Sequence, residues 1–134
     1  MGDCIFCKII KKEIPSFTVN ESKNFLAFLD INPRTKGHVL ITPKKHYINL
    51  TDFPSSLAKE LVDFSKETAN KVLAVVKTAD FNFSINNGKL SGQEVFHAHF
   101  HIIPRFKDDK LDHWPKSHSS MESLKKLADE IRNE

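Results

Sequence analysis

The longest regular pattern in the chain runs from Leu57 to Val76. Leu57, Leu61, Phe64, Ala69, Val72, Leu73 and Val76 recur at helical spacing, with Thr68 in the same stripe and Pro54 near the start. This predicts a long helix lying with its apolar face on a sheet. Residues 4–12 (CIFCKIIKK) place Ile5, Phe6, Ile9 and Ile10 on a short helical face that stops before Pro15. FTVNES (17–22) and NFLAFLDI (24–31) read as strands joined by a turn around Asn20 to Asn24. Asn32-Pro33 breaks the chain, and GHVLITP (37–43) reads as a further strand, with Pro43 as its terminus. Phe81 to Asn86 alternates like a strand, Asn87-Gly88 turns it, and Val95 to Ile103 is expected as the next strand. Ser119 and Glu122 have the spacing of a capping box ahead of Met121, Leu124, Leu127, Ala128 and Ile131, an amphipathic helix. About five strands in hairpin-like succession with one long helix among them indicate an α+β fold with a mostly antiparallel sheet.

A length of 134 residues suits one domain spanning 1–134, and 40% hydrophobic with 28% charged residues is ordinary globular composition. No repeat, low-complexity segment or linker divides the chain. The net charge of +3 is modest and spread out, which suits an anionic small molecule and offers no concentrated basic face for nucleic acid. No apolar run approaches the roughly 20 residues needed to span a bilayer. MGDCIFCKII lacks the features of a signal peptide, and Phe6 spoils a myristoylation signal at Gly2. A cytoplasmic protein is expected, with its two cysteines reduced, so that a metal site outranks a disulfide.

The chemistry concentrates in HAHFHIIPR, residues 97–105. On a strand, His97, His99 and His101 share one face, while Ala98, Phe100 and Ile102 share the other and can pack on the long helix. Three imidazoles in a row have little use in an apolar core, where each ring needs a hydrogen-bond partner. Two readings stand: a catalytic metal held by three histidines, or a histidine nucleophile oriented by its neighbours. The preceding NNGKLSGQEV (86–95) tilts the balance toward attack on a phosphate. Its Gly88 and Gly92 allow close backbone approach, turn amides can cradle an anion, and Asn86 and Gln93 add neutral donors.

His97-Ala98-His99-Phe100-His101-Ile102-Ile103 fits His-φ-His-φ-His-φ-φ, with φ apolar, throughout. With it, the chain resembles the histidine triad family of nucleotide hydrolases and transferases. The likeness runs through CIFCKII, FLDINP, GHVLITPKKH and SGQEVFHAHFHIIPR and is closest to Hint-like proteins, within them to bacterial-type members with an N-terminal Cys-x-x-Cys. The resemblance implies a HIT-like fold and a two-step reaction. His99 would attack the α-phosphorus and form a nucleotidyl-histidine that water then hydrolyses. His101 would contact the phosphate or leaving group, and His38 would complete the site. Asn86, Gly92 and Gln93 would hold phosphate oxygens. Ile5, Phe6, Ile9, Phe28 and Ile31 would surround a purine base, with Asp30 on the ribose hydroxyls.

The substrates implied are purine nucleoside phosphoramidates, acyl-adenylates or dinucleoside polyphosphates, with AMP or GMP as the nucleotide. Where eukaryotic members place a serine, this chain has Glu94, expected to face away from the phosphate and to help only through its amide. Cys4-x-x-Cys7 has the spacing of half a tetrahedral zinc site; the resemblance completes it with His46 and His97 as a closed, structural zinc and implies no organic cofactor. Two reduced core cysteines or a redox pair are the competing readings. His113-Trp114-Pro115 resembles a segment that reaches the partner subunit's site in Hint-like proteins, or else covers the core edge. The family implies a homodimer built on the central helix and a sheet edge. Two other functions remain as alternatives: a zinc-dependent hydrolase with metal at the triad, and a nucleotide-sensing binding module with little turnover.

Overall fold

The structure, a computed structural model, describes residues 2–134. Five strands form one sheet: β1 (Thr18–Glu21), β2 (Phe25–Leu29), β3 (Val39–Pro43), β4 (Phe81–Ile85) and β5 (Phe100–Pro104). Their order is β1-β2-β3-β5-β4, and every neighbouring pair is antiparallel. The helices are α1 (Ile5–Ile10), α2 (Ala58–Val76) and α3 (Met121–Arg132).

Both faces of the central strands are covered, which is why β2 reads as an unbroken apolar run. Phe25 and Ala27 of β2, Val39 and Ile41 of β3, and Phe100 and Ile102 of β5 meet Leu61, Phe64, Ala69 and Val72 of α2. On the opposite face Leu26, Phe28 and Leu40 pack on Phe6 of α1. Because side chains alternate along β5, placing Phe100 and Ile102 under α2 turns His101 to the α1 face. Gly37 leads into β3 beneath the end of α2 with φ of +90°, and a Cβ there would lie 2.9 Å from Val76 and 3.1 Å from Val72. Only glycine accepts both the conformation and the closeness. Among the described residues, no helix is long and apolar enough to cross a membrane.

Two expectations need correction. The strand expected over Val95–Ile103 begins only at Phe100 and ends at Pro104. The β3–β5 ladder holds only Val39↔Ile102, Leu40↔His101 and Ile41↔Phe100, and stops before Thr42 and Pro43, the last residues of β3. Before Phe100, individual bonds replace the ladder: Ala98 N–H donates to the Tyr47 carbonyl (2.6 Å), and Thr42 Oγ1 donates to the Ala98 carbonyl (2.9 Å). The C-terminal helix is capped by Ser120, not Ser119. Ser120 Oγ accepts from Ser123 N–H at 3.1 Å, which puts Glu122 one position too early for the reciprocal bond of a capping box.

Candidate active site

A cavity of about 530 Å³ opens on the α1 face of the sheet. Ile5, Phe6 and Ile9 of α1 form one wall, and Phe28, Asp30 and Ile31 form another. Asn86, Gly92 and Glu94 supply a third side, with His38, His99 and His101 at the end. Phe6, buried itself, meets the His99 ring edge-on at 4.9 Å. These walls are apolar where a flat base would lie and polar where a phosphate would.

The imidazoles are ordered by a chain of hydrogen bonds. His99 Nδ1–H donates to the His97 carbonyl at 2.7 Å, which leaves the lone pair on Nε2. The backbone N–H of Arg34 donates to His38 Nδ1 at 3.1 Å, so the neutral His38 ring carries its proton on Nε2. That Nε2–H donates to His101 Nδ1 at 2.9 Å. His101 is thereby the Nε2–H tautomer, and its Nε2 is buried without a partner among the described residues. The result is one ring with a free lone pair, His99, beside one with a free donor, His101, their centroids 5.1 Å apart. Asp30 Oδ2 lies 3.7 Å from His38 Nε2.

Burial sets the charge state of these rings. It pushes His101 down to about 4, helped by its neighbours His99 and His38 and opposed by Asp30. His38 and His99 are also lowered, again mainly by burial; Asp30 opposes the shift at His38, and the bond to the His97 carbonyl opposes it at His99. All three are neutral imidazoles near pH 7, the form that can act as nucleophile or as neutral donor.

His97 faces elsewhere. Its Nε2–H donates to the Pro43 carbonyl at 2.8 Å, and its Nδ1 lies 3.4 Å from Cys4 Sγ and 3.5 Å from Cys7 Sγ. His46 Nδ1 is 3.5 Å from Cys7 Sγ. One ligand atom from each of Cys4, Cys7, His46 and His97 lies within 4.8 Å of the others. The Cys4 thiol also accepts from Cys7 N–H as the N-cap of α1, so the first turn of α1 brings the two cysteines together. The triad is therefore divided: His97 joins the cysteines, and His101 joins Asp30 and His38.

Of the residues expected around the nucleotide, Gln93 does not line the cavity. Its Nε2 donates to the carbonyls of Ile48 (2.7 Å) and Val95 (3.0 Å), and its Oε1 accepts from Gly88 N–H (2.8 Å). The Gly92 and Gln93 amides are also committed within the turn, to Lys89 and Gly88. Gln93 braces the loop that follows β4, leaving Asn86 and Gly92 on the cavity. Glu94, expected to face away, is exposed and borders the cavity. Trp114 does not cover the core edge; it is 87% exposed and, with His113, borders a second cavity. Arg34 was not singled out by any motif, although it stands four residues before His38 on the same loop.

Residues 11–108 match the HIT domain family. The chain is 43% identical over 131 residues to the adenosine 5′-monophosphoramidase of Saccharomyces cerevisiae, covering 96% of this chain and 80% of that protein. It is 39% identical over 124 residues to an adenylylsulfatase of Arabidopsis thaliana, covering 92% of this chain and 62% of that one. A solved structure from Streptococcus mutans superposes with a TM-score of 0.92 at 39% identity, covering 99% of this chain and 85% of the other. A triad of this spacing, on this sheet, with relatives at these identities over most of its length, places the chain in the HIT family.

Proposed function

We propose that this protein is a nucleotide hydrolase that cleaves at the α-phosphorus of purine nucleoside phosphoramidates, acyl-adenylates or dinucleoside polyphosphates, through a covalent intermediate on His99. The observation that carries this reading is the 2.7 Å bond from His99 Nδ1–H to the His97 carbonyl. It holds the ring in the tautomer whose Nε2 is nucleophilic, on the wall of a cavity sized for a nucleoside. Nε2 forms a bond to the α-phosphorus while the bond to the leaving group breaks, its electron pair going with the leaving group. His101 Nε2–H can donate to an α-phosphoryl oxygen or to the departing atom. Water then attacks phosphorus, the P–Nε2 bond breaks, and the nucleoside monophosphate is released. Asp30 would accept from the ribose hydroxyls.

A zinc ion held by Cys4, Cys7, His46 and His97 belongs to the same reading. Tetrahedral zinc with ordinary bond lengths separates sulfur from nitrogen by about 3.6 Å. The separations of 3.4 and 3.5 Å between these thiols and imidazoles agree with that. The Pro43 carbonyl fixes the His97 tautomer so that Nδ1 faces the thiols, as an outer-shell partner does for a metal ligand. With four protein ligands the ion would be structural, supplying rigidity that ties α1 to the segment before β5. A homodimer is supported by exposed Val62 and Val75 on α2 and by Phe81 and Phe83 on the edge strand β4.

Intact-protein mass spectrometry after brief mixing with adenosine 5′-phosphoramidate tests the reaction. An acid-labile gain of one adenylyl group in the wild type, absent in His99→Ala, is expected. A His99→Ala protein with most of its activity would sink the reading. No adduct, with turnover that stops in chelator, would favour metal chemistry instead. An intact fold that binds nucleotide without turnover would favour a binding module.

A further inference from the structure

The nucleotide cavity has a neighbour. A second cavity of about 450 Å³ lies against it, and the two share Arg34, Asn86, Gly92 and His101 as their common border. His99 lines only the first. In an in-line displacement the leaving group departs on the side of phosphorus opposite the attacking nitrogen. A phosphoryl group at the shared border, attacked by His99 from the first cavity, therefore sends its leaving group toward the second.

The charges on that border are unequal. Arg105, on the far wall, is fully occupied. Its Nε and one terminal nitrogen donate to Asp109 (2.8 and 3.2 Å), and its other terminal nitrogen donates to Asn82 at 2.9 Å. Asp112 lines the second cavity alone, and Asp30 and Glu94 line the first alone. Arg34 is the cation common to both, and among the described residues its guanidinium forms no ion pair or hydrogen bond. Its root is pinned, because its own N–H is bonded to His38 at 3.1 Å and the adjacent Thr35 hydroxyl donates to the Pro104 carbonyl at 2.7 Å. The guanidinium is close enough that its charge lowers both His38 and His101.

We propose that Arg34 is a specificity-determining residue that favours substrates whose leaving group departs from the α-phosphorus as an oxyanion, such as sulfate, a carboxylate or a phosphate. The inference rests on the proposed reaction at His99 and narrows its substrate class. When the P–O bond breaks, the electron pair stays on an oxygen that needs no proton, and the Arg34 guanidinium, with its backbone held at the border, stabilises the charge as it develops. An amine leaving group must instead take up a proton and gains nothing from a neighbouring guanidinium. The relatives described above include one named for each kind of substrate, a phosphoramidase and an adenylylsulfatase, so the fold admits both.

The test compares adenosine 5′-phosphosulfate with adenosine 5′-phosphoramidate on wild type, Arg34→Gln and Arg34→Lys. The expected result is that Arg34→Gln loses about 10- to 100-fold more kcat/KM on the phosphosulfate than on the phosphoramidate, the scale of one charge-assisted hydrogen bond. The excess loss falls on kcat, and Arg34→Lys recovers part of it. Equal losses on both substrates would assign Arg34 to the shared phosphoryl group and overturn this inference alone, as would no loss on either. A wild type that turns over neither substrate would overturn the reaction itself, and this inference with it.

Discussion

His38 and His101 are joined by a 2.9 Å hydrogen bond in which the donor and the acceptor are both fixed, since the Arg34 amide already donates to the far nitrogen of His38. The free donor of His101 therefore depends on a residue that does not lie on its strand. His38→Ala releases the His101 ring to either tautomer and is expected to lower kcat by about 10- to 100-fold with a smaller change in KM. Steady-state kinetics beside a circular dichroism spectrum check this; an unchanged kcat in a folded variant would refute it.

The same burial predicts a pH-dependent stability. His101 is held near 4 and His38 below its ordinary 6.5, so between about pH 6.5 and about pH 4 the unfolded chain binds protons that the folded chain does not. Their neutral burial leaves stability undiminished above pH 6.5, and stability falls as the pH drops through that window. Thermal melts at constant ionic strength from pH 7.5 to 4.5 should give a steadily decreasing midpoint below about pH 6.5. His38→Phe, which cannot protonate, should flatten the slope.

Removal of the proposed zinc should unsettle the fold before the chemistry. Cys7→Ser, or a strong chelator, is expected to reduce bound zinc from one per chain to near zero and to lower the melting temperature. The covalent step at His99 should persist where the protein stays folded. Elemental analysis with a melting curve decides this; a purified wild type without metal and indifferent to chelator would remove zinc from the account.

Gln93→Ala is expected to destabilise the protein by about 1–3 kcal/mol, because it strips the Gly88 amide and the Ile48 and Val95 carbonyls of a buried partner. Denaturant unfolding measures the loss. A variant of wild-type stability with a raised KM would instead support the phosphate contact expected of Gln93.

Gly37→Ala should cost about 1–3 kcal/mol through the combined strain of a positive φ and crowding against Val72 and Val76. Because His38 follows directly, activity should fall with stability. A neutral effect in the same unfolding assay would contradict the close approach of α2.

Much of this molecule is written locally. Helical spacing in 57–76 and the apolar runs at 24–31 and 37–43 led to α2, β2 and β3 within a residue or two at most ends, because periodicity is a property of neighbours in the chain. The alternation likewise put His99 and His101 on the cavity side, whereas His97, in the segment before β5, turns to the cysteines; the cavity-lining residues near Asp30 and Asn86 were legible through family motifs. Residue spacing did not show which partner each imidazole takes, and only the family resemblance supplied it, since those partners lie far along the chain: His38 is 63 positions from His101, and Cys4 is 93 from His97. The start of β5 depended on Ala98 bonding Tyr47 and Thr42 in place of a ladder, the role of Gln93 on the Ile48 carbonyl coming within reach, and the place of Arg34 on two cavities meeting beside it. Residue spacing along the chain carries the period of an element and the side a residue faces. Hydrogen-bond direction, tautomer and the neighbours of a charge are decided only when distant segments are packed to within a few ångströms, because those interactions act only at that range.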